Sequence, residues 1–474
     1  MLIYPLTTLY RRPEPSWLPL GLSFLASALR QAGHEVKIFD RFASAAVFGP
    51  AREKINALML EELRTFNPDL VGLNAVSPLI YDTAACAELL RSEFSGPLLA
   101  GGHHPTAMPE LTLQKIPQLD GLIQGEGEAV LPALASGAAP LSLPGVWWNE
   151  GDSIKGSPPE QLADLDNLPF PALDLLDMDF YTRPGRQTIR SYHLSTLSMV
   201  TSRGCTRRCD FCAEHLTYGP KVRMHSPEYV LAWIENILAR YKIDAIYFHD
   251  NDFLVDRERT ALICESMITA GLHKKVKFAI QARVNNIDPQ ILQLLKKAGC
   301  ILIEMGIEAA SQDELDAVHK GTTGDMNLQA LEMCRRAKIP VHAYMLQGFE
   351  GETVEDLEKR LAWIKNAGSS FTVSLSMLEL YPGTSLYRKK GGSFFETKPW
   401  TAEEIKKYYQ TDHLSAVPAQ ERERWLKTRF KPEMIRRNRW AVLTNNNLLT
   451  TASLTLKKLK SLVTTKQRTA TPKQ

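Results

Sequence analysis

Short apolar runs alternate with stretches of helical spacing through the first third of the chain. Continuous runs at 69–76 and 97–101 predict buried strands, and 35–40 predicts a further strand. Apolar residues three and four positions apart predict helices at 21–31, 51–66 and 82–93. Because strands alternate with helices, we expect an α/β fold with an open parallel sheet in this part of the chain.

The same alternation returns in the middle of the chain. Six strand segments, separated by stretches of helical spacing, are predicted at 197–201, 244–249, 276–281, 301–305, 341–346 and 372–376. A repeated strand and helix unit predicts a partial parallel barrel, of the (β/α)6 type. In such barrels the chemistry lies at the carboxyl ends of the strands, so residues at those ends become candidates for a functional site.

Composition separates these two blocks. Between them the sequence turns to Pro, Gly, Ser and Asp with short apolar pairs such as Trp147-Trp148, which is typical of a connecting segment wrapped over a surface. We therefore expect a first sheet domain, a linker, a barrel and a mainly helical C-terminal region, with the boundaries 1–135, 136–193, 194–390 and 391–474.

Charge and cysteine content exclude several classes of protein. The 474 residues carry 56 Lys and Arg against 53 Asp and Glu, a net charge of +3, so a nucleic-acid partner is not expected. No apolar run reaches the roughly 18 residues of a membrane span, and the first residues lack the pattern of a signal peptide. Seven cysteines without regular spacing suit a reducing compartment, so we expect a multidomain cytoplasmic enzyme.

Charge is unevenly distributed at the end of the chain. From Trp425 to Gln474 there are twelve Lys or Arg and one acidic residue, Glu433, with a helical candidate at 454–462. A basic amphipathic tail can attract an anionic membrane surface, although a solvated or disordered terminus is the commoner reason for such a charge run. Peripheral membrane contact is therefore one expectation for this region.

Three cysteines are closely spaced on the loop that follows the first barrel strand. Cys205, Cys209 and Cys212 form the pattern C-x-x-x-C-x-x-C. Thiolates are the usual ligands of iron-sulfur clusters, and three of them leave one iron of a four-iron cluster without a protein ligand. Structural zinc is the alternative, but it usually takes four ligands in two pairs, and no second pair follows. The pattern therefore favours a 4Fe-4S cluster.

With Gly204 before the first cysteine and Phe211 before the third, this loop resembles the hallmark of the radical S-adenosylmethionine (SAM) superfamily. The resemblance implies that SAM chelates the open iron and is cleaved to a 5'-deoxyadenosyl radical. It also implies that residues at the ends of the barrel strands contact SAM, namely Phe211, Asp250, Asn251, Asp252, Gln281, Arg283, Glu308 and Gly348. As ordinary alternatives, the charged members of this set could cap helices or form surface ion pairs.

Loops after three strands of the first sheet carry glycines and histidines, at the edge where open parallel sheets bind ligands. Gly101-Gly-His-His-Pro-Thr106 and Gly125-Glu-Gly-Glu128 resemble the cobalamin-binding, Rossmann-like domain that precedes many radical SAM enzymes. The implied cobalamin contacts are Ser77, Gly102, His103, His104, Gly125 and Glu126. No Asp-x-His-x-x-Gly motif follows the first strand, so an axial histidine from that motif is not expected. Tight turns and helix caps are the ordinary alternative for these residues.

The order of the two domains implies a function. By resemblance, we expect a cobalamin-dependent radical SAM methyltransferase that methylates a carbon of a small-molecule, tetrapyrrole or lipid substrate. An external one-electron reductant such as flavodoxin or ferredoxin is the expected partner. Radical cyclisation, oxidation or rearrangement without methyl transfer is the alternative, and a non-catalytic iron-sulfur protein is a third class. Methylthiolation is disfavoured because only Cys86 precedes residue 205. The sequence assigns no catalytic side chain.

Overall fold

The structure is a computed structural model of the chain. It describes residues 1–6, 17–49, 51–151, 153–185, 188–190, 192–390 and 392–444. The helical candidate at 454–462 and most of the basic tail lie outside the described residues. No helix among the described residues is long and apolar enough to cross a membrane.

The first domain contains a seven-stranded sheet with the order β2-β1-β3-β4-β5-β6-β7. Its first five strands are parallel, which confirms the predicted open parallel sheet. The last two strands are antiparallel. The strands are β1 (Leu2–Tyr4), β2 (Ile38–Asp40), β3 (Val71–Asn74), β4 (Leu98–Gly101), β5 (Gly121–Ile123), β6 (Val146–Asn149) and β7 (Ile154–Gly156).

Seven α-helices among the described residues cover this sheet, and their apolar faces pack on it. The predicted helices at 21–31, 51–66 and 82–93 correspond to helices whose ends lie within one or two residues of those bounds. The helices are α1 (Leu20–Gln31), α2 (Arg41–Phe48), α3 (Arg52–Phe66), α4 (Ile80–Arg91), α5 (His103–Ala107), α6 (Pro109–Lys115) and α7 (Val130–Ala135).

The segment between the domains is more than a connection. Its first part forms the hairpin β6-β7, which extends the first sheet by two strands. Gly121 on β5 makes room for this pairing, because a Cβ there would meet the ring of Trp148. The pattern of apolar residues does not predict the hairpin, since its composition is that of a loop. Further along, Asp166 accepts hydrogen bonds from His225 Nδ1 (3.1 Å) and the Ser226 amide (3.0 Å), which fixes the segment to the second domain.

The second domain is a six-stranded parallel sheet with the order β15-β14-β13-β12-β11-β8, as the predicted partial barrel requires. A separate two-stranded hairpin, β9-β10, follows the first barrel strand. The strands are β8 (Thr196–Met199), β9 (Ser202–Arg203), β10 (Arg223–Met224), β11 (Ala245–Phe248), β12 (Lys277–Ala282), β13 (Cys300–Glu308), β14 (Val341–Gln347) and β15 (Phe371–Met377).

Helices surround this barrel and continue into a helical C-terminal region. Several of them begin at a Ser, Thr or Asp whose side chain accepts a hydrogen bond from the first turn, as helix N-caps do. These caps are Ser226, Asp256, Asp288, Ser311, Thr323, Thr353, Thr384 and Thr401. The helices are α8 (Met178–Tyr181), α9 (Glu214–Tyr218), α10 (Pro227–Arg240), α11 (Arg257–Thr269), α12 (Leu272–Lys275), α13 (Pro289–Ala298), α14 (Gln312–Ala317), α15 (Gly324–Ala337), α16 (Val354–Asn366), α17 (Ser385–Lys389), α18 (Phe394–Thr397), α19 (Ala402–Gln410), α20 (Ala419–Trp425) and α21 (Lys431–Thr444).

Successive residues of each barrel strand point to opposite sides, since the side-chain period of a strand is two. On β11, Ile246 and Phe248 belong to the core under the helices, whereas Ala245 and Tyr247 pack inside the barrel. The C-terminal region reaches back to the first domain, where Phe395 and Trp400 contact the ring of His104. Helices α18 and α19 and the segment between them therefore connect the C-terminal region to the first domain.

Candidate functional site

The three cysteines lie on the loop between β9 and β10, at the carboxyl edge of the barrel. All three are free thiols; Cys209 is buried, and Cys205 and Cys212 are half-buried. Gly204 enters the loop with a φ of +94°, and a Cβ at this position would meet the carbonyl oxygen of Lys221. A glycine before the first cysteine is therefore required by the turn itself.

The thiols lie close enough to influence one another. Burial raises the pKa of Cys212 to about 12, and the nearby charges of Glu214, Cys209 and Cys205 add to the rise. Within the described residues, no three His, Cys, Asp or Glu side chains converge on the position of a single metal ion. A four-iron cluster binds its thiolates on different irons, so it does not need that convergence. Three thiols on one loop fit such a cluster and leave its fourth iron open.

Asp210, between the second and third cysteines, anchors the loop to the barrel. Its carboxylate accepts hydrogen bonds from Lys389 Nζ (2.6 Å) and His319 Nδ1 (2.9 Å). Its backbone amide donates to Val318 O, and its carbonyl accepts from the Leu386 amide. Burial alone would raise the pKa of Asp210, but these partners hold it below its usual value. Phe211 beside it is half-buried and packs on an apolar cluster that includes Val318 and Leu386.

In the segment 250–252 after β11, the two aspartates are buried and the asparagine between them is half-buried. Asp250 is fully buried and accepts from the Thr201 amide (3.1 Å) and hydroxyl (2.9 Å), and burial raises its pKa. Asp252 accepts from Asn286 Nδ2 (2.5 Å) and the Arg283 amide (3.3 Å). Asn251 is half-buried and directs its amide toward Gly204 O (3.4 Å). Of the three, Asn251 is the residue that adjoins the cysteine loop.

Arg283 and Glu308 come together through a residue between them in space. Arg283 Nη2 donates to the carbonyl of Lys320 (2.8 Å), and Lys320 Nζ donates to Glu308 Oε1 (2.7 Å). All three side chains are buried. Glu308 has a φ of +64°, and a side chain at Gly306 would occupy the space of the Glu308 and Lys320 charges. This geometry explains why position 306 is a glycine.

The two remaining predicted SAM residues lie on other strands. Gly348, at the end of β14, has a φ of +86° and donates its amide to Glu352 Oε2 (2.8 Å). Gln281 on β12 is half-buried and donates to the hydroxyl of Tyr247 (2.8 Å), inside the barrel.

Sequence reasoning missed a polar cluster inside the barrel. Glu304 on β13 is buried and accepts from the hydroxyls of Tyr247 (2.8 Å) and Tyr344, while Arg190 lies 3.8 Å from its other oxygen. Burial raises the pKa of Glu304. A charged residue inside the otherwise apolar run of β13 was the available signal, because alternation places it on the inner face.

A half-open cavity lies at the carboxyl edge of the first sheet. Its empty volume, including the mouth, is about 820 Å³. Gly102, His103, Gly125 and Glu126 line it together with aliphatic side chains such as Leu22, Leu25 and Leu99. Arg203, Thr217 and Tyr218, which flank the cysteine loop, form part of its wall. The cavity thus borders both domains.

Glycines shape this cavity. Gly102 has a φ of +111°, and a Cβ there would lie 2.7 Å from Ala75 O. A Cβ at Gly125 would lie 2.9 Å from Pro159, and one at Gly127 would lie 3.0 Å from Leu25. Such a cradle, in which the backbone lines open space at a sheet edge, fits a large planar cofactor such as cobalamin.

The other predicted cobalamin residues do not line this cavity. His104 is fully buried, and its Nδ1 lies 2.9 Å from the hydroxyl of Ser77, which is also buried. Burial lowers the pKa of His104 to about 3, so the ring is neutral at physiological pH. His103, its neighbour in sequence, is exposed in the cavity. The structure therefore brings His103 to the cavity and places Ser77 and His104 in the core behind it.

Comparison with known proteins supports both halves of this description. The model of the radical SAM superfamily matches residues 199–364, and the model of the B12 binding domain matches residues 7–135. The chain is 29% identical to an uncharacterized methyltransferase of Pyrococcus horikoshii, over 78% of this chain and 77% of that protein. It is also 29% identical to an anaerobic magnesium-protoporphyrin IX monomethyl ester cyclase of Cereibacter sphaeroides, over 73% of this chain and 56% of the cyclase.

A solved structure has the same fold. It is the radical SAM methyltransferase TsrM from Kitasatospora setae with cobalamin and a 4Fe-4S cluster bound. The TM-score is 0.68 at 19% identity, over 82% of this chain and 78% of the TsrM chain. The cysteine loop, the glycine-lined cavity and the two family matches agree. Its cofactors are therefore a 4Fe-4S cluster, SAM and cobalamin. The chain is a radical SAM enzyme with a B12-binding domain and resembles the cobalamin-dependent methyltransferases.

Proposed function

We propose that the protein methylates a carbon centre of a small-molecule, tetrapyrrole or lipid substrate. The observation that carries the proposal is the cavity shared by the two domains, whose wall includes Arg203, Thr217 and Tyr218 beside the cysteine loop. A methyl carrier in this cavity and a radical generator on the loop would be neighbours. When bound, cobalamin supplies a methyl carrier, and the cluster supplies an electron that cleaves SAM.

The balance of the proposed reaction requires two molecules of SAM and two electrons. One SAM gives its methyl group and leaves S-adenosylhomocysteine. The other is cleaved to methionine and 5'-deoxyadenosine, which retains the hydrogen removed from the substrate carbon. The electrons come from an external one-electron reductant of the flavodoxin or ferredoxin class.

The chain's own residues have distinct parts in this proposal. Cys205, Cys209 and Cys212 ligate the cluster. Phe211, Asn251, Gln281, Arg283, Glu308 and Gly348 form the surroundings of SAM, and Asp250 and Asp252 hold the strand ends that carry them. Gly102, His103 and Gly125 form the cobalamin cradle, with Glu126 in its wall and Ser77 and His104 supporting the cradle from behind. Asp250 and Asp252 have the supporting part because their carboxylates accept hydrogen bonds from the backbone amides of Thr201 and Arg283.

A second candidate function is radical cyclisation or oxidation without methyl transfer. The 29% identity to a magnesium-protoporphyrin IX monomethyl ester cyclase favours it. The experiment that separates the two uses anaerobically reconstituted holoenzyme, a chemical reductant, a metabolite extract, and SAM with either a normal or a trideuterated methyl group. Methyl transfer gives a product whose mass depends on the isotope. Cyclisation or oxidation gives a product whose mass does not, while 5'-deoxyadenosine forms in both cases.

A further inference from the structure

A buried network of four charged side chains joins the first domain to the barrel. Arg203 Nη1 donates to Glu126 Oε1 and its Nη2 donates to Glu128 Oε1, both at 2.6 Å. Arg223 Nη1 donates to Glu126 Oε2 (2.5 Å) and to the carbonyl of Leu162 (2.8 Å). No side chain of the four charged residues is more than 6% exposed. Two positive and two negative charges therefore neutralise one another away from water.

The network lies at a particular place in the chain. Glu126 and Glu128 belong to the glycine-rich loop after β5, which lines the cavity. Arg203 and Arg223 lie opposite each other on β9 and β10, the two strands between which the cysteine loop begins and ends. The ion pairs thus connect the wall of the cavity to both ends of the loop that carries Cys205, Cys209 and Cys212.

Neighbouring contacts strengthen the same connection. The Arg203 guanidinium lies 5.6 Å from the ring centres of Phe24, in the first domain, and Tyr218, at the end of the loop helix α9. Helix α9, which follows Cys212, packs on α5 of the first domain. Buried charges are costly unless they are paired, and these four are paired across the domain boundary. The cost is recovered only when the two domains hold one relative position.

We propose that Arg203, Arg223, Glu126 and Glu128 are positioning residues that fix the cysteine loop against the cobalamin cavity. They act through the loop that carries the three cysteines. Both carboxylate oxygens of Glu126 accept hydrogen bonds from arginines, so Glu126 orients the cysteine loop. These contacts set the distance between the two cofactor sites, for methyl transfer and for the alternative radical reactions alike.

The primary test uses the full chain without its cluster and follows hydrogen-deuterium exchange of residues 199–225. Glu126→Gln removes the negative charge that pairs with both arginines and keeps the size of the side chain. We expect amides of this segment to exchange about tenfold faster, because the loop opens more often when its ends are no longer held. Asp82→Asn is the matched control, since Asp82 is an equally buried partner of Arg41 and Arg52 within the first domain alone. It should leave exchange of 199–225 unchanged.

Two further variants keep the test decisive if Glu126→Gln does not fold. Glu128→Gln removes one of the three ion pairs and should give a smaller increase confined to the same segment. Arg203→Lys keeps the charge but cannot reach both carboxylates with a planar fork, so exchange should lie between the wild type and Glu126→Gln. Unchanged exchange of 199–225 in the folded variants would overturn the proposal. So would an equal increase throughout both domains, which would indicate a general contribution to stability.

A spectroscopic readout extends the test to the holoenzyme. Pulsed electron paramagnetic resonance can measure the distance between the reduced cluster and cob(II)alamin. In Glu126→Gln we expect a broader distance distribution than in the wild type or in Asp82→Asn, with the same cluster signal. A distribution as narrow as that of the wild type would contradict positioning by this network. Failure of the wild type to bind cobalamin would instead count against the proposed function and leave the exchange experiment to decide this inference.

Discussion

The two sheets present very different surfaces at their carboxyl ends. At the first sheet, glycines and aliphatic side chains line an open cavity, and the charged carboxylates of Glu126 and Glu128 are neutralised by arginines of the barrel. At the barrel, the cysteine loop adjoins Asn251, and Arg283, Lys320 and Glu308 form a buried hydrogen-bonded group.

The two edges therefore suit different ligands. The first edge offers space and backbone, which suits a large cofactor held over a wide area. The second edge offers a few strong ligands and charges, which suits a cluster and the charged methionine end of SAM. A substitution at one edge should therefore leave binding at the other edge intact.

The largest effect is expected at the barrel edge. Replacing Cys205, Cys209 or Cys212 with Ala should abolish SAM cleavage, because the remaining thiolates cannot hold the cluster in place. Iron content and 5'-deoxyadenosine are the measurements, and cobalamin binding should persist. Cys264→Ala is the control, since Cys264 is fully buried among apolar residues away from the loop. Substantial SAM cleavage by a triple Ala variant would refute the cluster assignment.

A substitution at the first edge should have the converse effect. Gly102→Ala places a Cβ 2.7 Å from Ala75 O in a backbone conformation that L residues rarely adopt. We expect cobalamin affinity to fall by about thirtyfold, as measured by equilibrium binding of hydroxocobalamin, while cluster assembly is retained. Gly137 has a similar φ of +90° but open space around it. Gly137→Ala is therefore the control that introduces backbone strain without a steric clash. Equal affinity in the two variants would contradict the cradle.

A smaller effect is expected for SAM binding. Arg283→Ala removes the guanidinium that donates to Lys320 O, and SAM affinity should fall by about tenfold while the iron content stays the same. Arg283→Lys should recover only part of it, because it lacks the planar fork. The control is Arg257→Ala, which removes an exposed ion pair with Asp288. SAM affinity in Arg283→Ala equal to that of the control would remove Arg283 from the site.

The smallest effect concerns the buried support of the first edge. The pKa of His104 is lowered to about 3 in the folded protein, against 6.5 when unfolded. Below pH 6.5 the unfolded chain therefore binds a proton that the folded protein does not. The stability that comes from burying the neutral His104 ring is complete above pH 6.5 and is lost as the pH falls. At pH 6 the loss is about 1 kcal/mol.

Thermal unfolding of the cluster-free protein between pH 7.5 and pH 6 tests this prediction. His104→Gln should flatten the pH dependence, whereas His103→Gln, at the exposed neighbour, should leave it as in the wild type. The same slope in His104→Gln and the wild type would show that the pH dependence has another source.

The fold was predictable from the sequence because periodicity is a local property. The strands and helices of both sheets follow the alternation of apolar residues, and the N-caps of the barrel helices are visible as Ser, Thr and Asp. The hairpin β6-β7 was missed, because Trp147 and Trp148 stand among Pro and Gly and their pairing with β5 is a long-range contact.

The site was predictable only in part, for a physical reason. Motifs locate a segment, but the direction of each side chain depends on tertiary packing. His103 opens into the cavity while His104 lies in the core, and Asn251 adjoins the cysteine loop while Asp250 is buried. The pairing of Glu126 with Arg203, 77 positions apart in the chain, could not be inferred from spacing.

The most direct test of the central claim is isotopic. Holoenzyme containing both cofactors is supplied with reductant, a metabolite extract and either normal or trideuteromethyl SAM, and the products are compared by mass spectrometry. We expect a product that gains one methyl group with normal SAM and one trideuteromethyl group with the labelled SAM. 5'-Deoxyadenosine should form alongside it. Neither Cys205→Ala nor enzyme without cobalamin should give the methylated product. A product whose mass is the same with both forms of SAM, or a methylated product that still forms without cobalamin, would contradict it.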